Sequence, residues 1–128
     1  MSQDAFPVRA SNPGIYTTKV RLLGTGAADP TEVYGADVAV ARTAAGRYTL
    51  TWATNPGTFV GYSWGVQSTT INATRGVTVT VGVFSTTAYT LEVDVWDFLA
   101  QAAGVTVARD LAALEWLNLS FDFQRVGG

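Results

Sequence analysis

An alternation of apolar and polar residues with a period of two runs through most of this chain. It is clearest over residues 77–83, 89–96 and 117–124, where an apolar or aromatic residue takes every second position and mostly polar residues lie between them. Successive side chains of a β-strand point to opposite faces of a sheet, so each stretch predicts a strand with one buried face. The pattern therefore directs the chain into β-sheets.

Weaker versions of the same pattern predict further strands upstream. Residues 17–22 alternate in the same way, and residues 38–52 predict a hairpin whose loop ends at Gly46, where glycine supplies the positive φ of a tight turn. Residues 58–66 are rich in aromatic residues and glycine, and residues 69–73 add a short strand.

About seven or eight strands at intervals of about 8–12 residues are typical of one antiparallel β-sandwich or jelly roll. We assign this all-β domain to residues 16–128. Residues 1–15 contain two prolines and little periodicity, and they predict an irregular N-terminal arm. Helix is confined to one turn within residues 97–103 and a second turn that Asp110 caps.

The composition excludes several classes of function. Without cysteine or histidine the chain has no disulfides, no zinc site with sulfur or nitrogen ligands and no histidine-dependent triad. The net charge is −2 and the basic residues are scattered, which argues against nucleic-acid binding. No apolar run is long enough to cross a bilayer, and residues 1–10 lack the features of a signal peptide. We expect no cofactor and no membrane partner.

One short glycine motif resembles part of a nucleotide-binding site, but a loop between strands explains it better. Gly24-Thr25-Gly26 follows a predicted strand, as in a dinucleotide site, but no amphipathic helix follows to receive a phosphate. The same stretch is similar to the opening strand and loop of metallo-β-lactamase-like hydrolases, which need histidines that this chain lacks. We interpret it as a flexible glycine loop between strands.

Three carboxylates form the main candidate for chemistry. Glu92 and Asp94 fall on one face of a strand, about 7 Å apart, and Asp97 follows. Such a group would hold Ca²⁺ or act as the acid pair of a glycosidase. A solvated strand face is the competing interpretation, and it is the one we favour.

Aromatic residues are the main candidates for binding. Trp52 shares a face with Tyr48 and Leu50, which places it in the core, whereas Trp96 and Trp116 are out of phase with the apolar positions of their strands. Exposed aromatic rings, among which Trp64, Tyr62 and Phe59 are further candidates, stack on sugars in many carbohydrate-binding modules. Tryptophan is also enriched in protein interfaces, and we favour that role for Trp96 and Trp116.

Residues 40–51, 85–94 and 110–123 together resemble small virion surface proteins of tailed bacteriophages, the β-sandwich decoration (cement) and head-fibre type. The similarity lies in the style of strands and turns over most of residues 36–125. It implies many copies on a capsid lattice, often as trimers, with an N-terminal arm that reaches a neighbour or the shell. The family has no catalytic residues to carry over.

These observations predict a non-enzymatic virion protein, made in the host bacterial cytoplasm, that decorates a phage head through contacts with itself, as a homotrimer, and with the major capsid protein. The alternative is a carbohydrate-binding or receptor-binding module of a phage fibre or tail, with a glycan as its partner. An enzyme based on Glu92 and Asp94 ranks third. The predicted interface residues are Phe6, Pro7, Val8, Ile15, Trp96 and Trp116.

Overall fold

The computed structural model describes residues 14–35, 37–69, 76–102 and 105–125, and it shows two antiparallel sheets packed face to face. The first sheet has the strand order β2-β1-β9-β5. The second has the order β3-β4-β7-β6, and β8 also pairs with β7. The nine strands are β1 Ile15–Leu23, β2 Thr31–Tyr34, β3 Val38–Ala44, β4 Arg47–Trp52, β5 Thr58–Ser68, β6 Val77–Val81, β7 Thr90–Ala102, β8 Val105–Ala108 and β9 Glu115–Gln124.

The core lies between the two sheets and follows the period-two pattern. In β9 the side chains of Leu117, Leu119, Phe121 and Phe123 are all buried, while the residues between them are only partly covered. Trp52 packs edge-on against the rings of Phe84, Phe121 and Phe123 at centroid separations of 5.3–5.6 Å. The predicted placement of Trp52, Tyr48 and Leu50 in the core is confirmed.

The prediction of an all-β sandwich is confirmed, and the strongly alternating stretches form β6, β7 and β9. The 38–52 hairpin forms β3 and β4, and Gly46 has the predicted positive φ of 69°. Two short strands, β2 and β8, were not predicted. The predicted short strand at residues 69–73 lies almost wholly outside the described residues, as do residues 1–13 of the predicted arm.

The two predicted helical turns are wrong. Residues 97–102 continue strand β7, and the backbone of Asp97 pairs with Val107 of β8. No helix occurs in the described ranges, so none there is long and apolar enough to span a membrane. Asp110 caps no helix. Its carboxylate instead accepts hydrogen bonds from the Arg42 guanidinium, at 2.8 and 3.0 Å, and from the Gly46 backbone N–H at 2.8 Å.

Residues 109–115, which we call the crossover segment, carry the chain from the second sheet to the first. Leu111 is fully buried, and its N–H donates to the Tyr48 hydroxyl at 2.8 Å. The Glu115 side chain is only 2% exposed. It pairs with Arg109 and accepts a hydrogen bond from the Ala112 N–H at 2.8 Å. The buried Leu111 N–H and the Glu115 carboxylate therefore both have hydrogen-bond partners within the fold.

The Gly24-Thr25-Gly26 loop fits against this crossover segment. The N–H of Gly24 donates to Glu115 O at 2.8 Å, and that of Gly26 donates to Leu111 O at 2.9 Å. A Cβ at position 24 would lie 2.6 Å from Leu111 O and closer still to Ala112 O. The glycine is thus needed for close approach of two backbones, a purely structural role.

Gly24→Ala should lower the free energy of unfolding by about 1–3 kcal/mol, because the added methyl group displaces the crossover segment. The measurement is urea unfolding followed by tryptophan fluorescence. Gly82→Ala is the matched control, since a Cβ there makes only ordinary van der Waals contact, at 3.6 Å from the Glu92 side chain. Equal stability of the two variants would contradict this account of Gly24.

Asp110→Asn should also lower the free energy of unfolding, by about 1–3 kcal/mol at pH 7, because it weakens the charge-assisted bonds to Arg42. The hydrogen bonds from Arg42 hold the pKa of Asp110 below its ordinary value. Its stabilising contribution is therefore complete above pH ~3.9, the ordinary value for an aspartate, and is lost as the pH falls through the lower pKa of the folded state.

Urea midpoints measured between pH 7 and pH 2 test this linkage. The difference between wild type and Asp110→Asn should be constant down to about pH 4 and shrink below it. Asp37→Asn is the control, because Asp37 is exposed and its carboxylate makes no hydrogen bond to another described residue. A difference that grows on acidification would contradict the assignment.

Candidate functional site

The predicted interface residues do not form one surface. Phe6, Pro7 and Val8 lie outside the described residues. Trp116 is on the outer face of the first sheet, next to the inward Leu117, and Trp96 is on the outer face of the second sheet, next to the inward Val95. The two tryptophans therefore point away from opposite sides of the sandwich, and a single flat contact would bury only one of them.

Ile15 shares the outer face of the first sheet with Trp116 but lies at its other end. Ile15 pairs with Gln124, whereas Trp116 pairs with Leu23. Eight residues along β1 separate these two positions, a distance of about 26 Å at 3.3 Å per residue. A protein partner on this face would need to be broad to contact both side chains, and their assignment to an interface stays a prediction.

Trp116 lies within a polar cluster on the first sheet. The Arg21 guanidinium is 5.6 Å from the centroid of the Trp116 ring, within cation–π range. Arg21 and Asn118 both donate hydrogen bonds to the Gln67 side-chain oxygen, at 3.2 and 3.3 Å. Because Arg21 lies over the indole, part of the flat surface that a sugar ring would stack on is already occupied.

Trp96 is fixed by a hydrogen bond across the second sheet. Its indole N–H donates to the Thr80 hydroxyl at 2.8 Å. Trp96 is paired in the sheet with Thr78 of β6, two residues before Thr80. The ring therefore has a defined orientation before any partner binds, and a side chain that is already ordered loses little conformational entropy in a contact.

The three carboxylates are paired with arginines on the second sheet. Arg47 Nε lies 3.3 Å from Glu92 and 3.2 Å from Asp94, and Asp97 is 3.9 Å from Arg109. Partial burial, then the hydrogen bond to Asp94, raises the pKa of Glu92, and Arg47 opposes this rise. No cluster of three or more potential metal ligands occurs among the described residues. The arrangement is that of a paired, solvated strand face.

The largest exposed apolar side chains in the middle of a strand lie on β5, the edge strand of the first sheet. Val60, Tyr62 and Trp64 are 55%, 37% and 39% exposed. Tyr62 and Trp64 stand opposite the inward Phe121 and Leu119 of β9, so they lie along the open side of the sandwich. The Tyr62 hydroxyl donates to Val79 O of the second sheet at 3.3 Å. We call Val60, Tyr62 and Trp64, with the backbone of β5, the β5 edge surface.

The β5 edge surface has no charge and no proline. The strand Thr58–Ser68 is 11 residues long, and every residue in it is apolar, aromatic, small or uncharged polar. Its pairing with β9 is irregular only between Phe59 and Gly61, so residues 62–68 form a regular strand. Its outer edge has no neighbour among the described strands.

The other described edge strands, β2, β3, β6 and β8, are protected by means that natural proteins commonly use, and β8 has only four residues. Strand β2 has only four residues and carries Glu32, and β6 has only five residues. Strand β3 bulges near Arg42, and the backbone N–H of Arg42 donates to the Asp29 carboxylate at 2.8 Å. A long, uncharged and unprotected strand is thus peculiar to β5 among the described edges.

Two glycines leave the outward face of β5 without side chains at two positions. Gly61 and Gly65 stand opposite the outward Asp122 and Asn118, and a Cβ at either glycine would meet nothing within 4 Å. Neither glycine is needed for packing within the described part of the chain. Glycine inside a strand often marks a place where another backbone approaches closely.

A shallow cavity continues this surface toward the second sheet. It has a volume of about 400 Å³ and lies between the start of β5 and the loop after β6. Thr58 and Phe59 line one side, and Val83, which is 94% exposed, lines the other together with Phe84. A nearly fully exposed valine next to an apolar edge enlarges the surface available to a protein partner.

The sequence contained a partial signal for this surface. The aromatic residues and glycines of residues 58–66 are visible, and Trp64 and Tyr62 were candidates for binding. What the sequence does not show is that β5 ends up at the edge of a sheet, since that depends on pairing with β9, more than 45 residues downstream. The edge position, and with it the exposed backbone, follows from the strand order.

Compared with known proteins, the chain matches no family model, no curated protein and no solved structure. The resemblance to virion surface proteins is therefore a prediction that rests on residues 40–51, 85–94 and 110–123.

Trp64→Thr should lower the free energy of unfolding by about 1 kcal/mol, whereas Trp52→Thr should lower it by about 3–5 kcal/mol. The reason is that Trp64 keeps a large exposed fraction in the folded chain and Trp52 does not. Thermal and urea unfolding of both variants provide the measurement. A loss for Trp64→Thr as large as that for Trp52→Thr would show that the Trp64 ring is a core element instead of surface available for binding.

Proposed function

We propose that this protein is a non-enzymatic structural subunit of a bacteriophage virion, a decoration or cement protein that stabilises the capsid shell through subunit contacts. The observation that carries the proposal is the β5 edge surface: an 11-residue uncharged edge strand with three exposed apolar side chains. An exposed strand edge of this kind is a template for pairing with another chain, and soluble proteins that act alone usually protect such edges.

The distribution of charge supports a role in assembly. Only 14% of the residues are charged, and several of these charges are used inside the fold, where Arg42 pairs with Asp110 and Arg109 with Glu115. The remaining surface is rich in threonine, serine and glycine, and low surface charge favours association. A structural subunit needs such a surface more than it needs a pocket.

The carboxylates support a structural role as well. Arg47 lies between Glu92 and Asp94 and neutralises part of their charge on the exposed outer face of the second sheet. A glycosidase would need one of these acids as a proton donor and the other free to act on the sugar or on a water molecule. An arginine between them holds both in an ion-paired network instead.

Capsid binding provides the main test. Purified protein added to capsids that lack it should sediment with them and saturate at a fixed number of copies per capsid. Trp96→Ala and Trp116→Ala lie on opposite outer faces, so one of them should weaken binding at least tenfold while the other serves as its matched control. Failure of the wild-type protein to sediment with any capsid of its own phage would overturn the proposed function.

A carbohydrate-binding module is the second candidate, and the polar cluster around Trp116 is the observation that favours it. Arg21, Gln67 and Asn118 bring guanidinium and amide groups beside an aromatic ring, a combination suited to sugar hydroxyls. Glycans that bind there should quench tryptophan fluorescence in the wild type, and Gln67→Ala should reduce the effect. No quenching across a panel of host surface glycans would eliminate this candidate.

A further inference from the structure

We propose that β5 pairs with β5 of a second copy of this chain, antiparallel and about a two-fold axis, so that two first sheets join into one continuous sheet. This deepens the proposed function, because it names the partner of the β5 edge surface. Pairing of β5 rests on the virion role only for its biological purpose. Its physical basis is the unpaired, uncharged edge of β5.

The absence of charge on β5 favours self-pairing along this strand over contact through the outer faces. The chain has a net charge of −2, and the outer faces of both sheets carry carboxylates such as Asp122 and Glu92. These faces also carry Arg21 and Arg47, so two copies that met through them would have to remove charged groups of both signs from water. The strand Thr58–Ser68 contains no Asp, Glu, Lys or Arg, so two copies can approach along it without that cost.

Two-fold pairing of β5 would also bring its apolar side chains together. Directly opposed residues in an antiparallel pair point to the same face of the sheet, and a two-fold axis places each strand opposite itself. The row formed by Tyr62, Trp64 and Val66 must then meet the same apolar row of the partner, whichever of the allowed registers is used. Aromatic–aromatic and aromatic–β-branched pairs across a strand contribute favourably to sheet stability.

The outward row of the same strand consists of small residues. Gly61, Ser63 and Gly65 alternate with the aromatic residues, so they meet the same small residues of the partner. Their small size lets the two backbones approach without side-chain clashes on the outer surface. The strand is therefore complementary to a second copy of itself on both faces, with apolar residues opposite apolar residues and small residues opposite small residues.

The occupant of β5 is consequently a second copy of this chain in preference to a charged peptide or a nucleic acid. A positively or negatively charged partner would find no opposite charge on the strand. The resemblance to virion proteins implies a three-fold assembly, in which β5 would contact a different surface of the neighbour. A measured mass of three chains would indicate that arrangement.

Light scattering of the full chain over a range of concentrations tests the proposal. The wild-type mass should rise toward twice the 13.6 kDa of one chain. Ser63→Lys places a charge on the exposed outward row of β5, where the two-fold axis brings it near its own copy, and it should weaken dimer formation at least tenfold. Circular dichroism should show an unchanged fold.

Ala41→Lys is the matched control. Ala41 is exposed on β3, the edge of the second sheet, where Arg42 already provides charge, so this variant should dimerise like the wild type. A second variant, Val60→Lys, repeats the test at the other end of the β5 edge surface. A wild-type monomer at the highest concentration, a mass of three chains, or dimers that persist in both β5 variants would overturn the proposal.

The two proposals fail independently. A dimer that binds no capsid would leave β5 pairing intact and overturn the virion role. A monomer that binds capsids would retain the virion role and overturn β5 pairing. Capsid sedimentation of the Ser63→Lys protein separates the two cases in a single preparation.

Discussion

The crossover segment is the constraint on which the two-sheet arrangement depends. It must leave the second sheet, pass over one end of the core and enter the central strand β9 of the first sheet. Several of its polar groups are bonded to other elements: Leu111 N–H to Tyr48 on β4, Asp110 to the β3–β4 hairpin, and the Glu115 backbone to the glycine loop after β1. Burial of these groups without partners would cost several kcal/mol, so the sheets keep their relative placement only while this network is complete.

This network also explains where a chain with little charge places the charge that it has. Arg42, Arg109, Asp110 and Glu115 are all partly or fully covered by neighbouring residues, and the Arg42–Asp110 pair connects elements 68 residues apart in sequence. The outer faces keep threonine, serine and fewer charged groups, among which Arg47 is paired with Glu92 and Asp94. The surface therefore carries little charge partly because four of the few charged residues are used in ion pairs at the crossover segment.

The sequence predicted the strands wherever an alternation ran for four or more residues, because burial of one face of a sheet imposes that pattern. It did not predict β2 and β8, which have only four residues each and pair at sheet margins. The helical turn proposed within residues 97–103 was wrong because β7 extends past the end of its clear alternation and pairs with β8. The role of Gly24 was also beyond local reasoning, since the backbone that it approaches lies about 90 residues downstream.

The two ends of the described chain lie side by side. Ile15 and Gln124 are paired neighbours, and the Arg125 N–H donates to Gly14 O at 2.9 Å, at the end of the sandwich opposite the crossover segment. A short peptide linker would join these ends without disturbing a strand. The order of the strands along the chain can therefore be changed while their positions in the sheets stay the same. A circularly permuted chain that joins Gly14 to Arg125 and is opened at a loop such as Ser85-Thr86-Thr87 should therefore retain both sheets. A domain fused directly to Gly14 or to Arg125 would project from the same pole of the molecule.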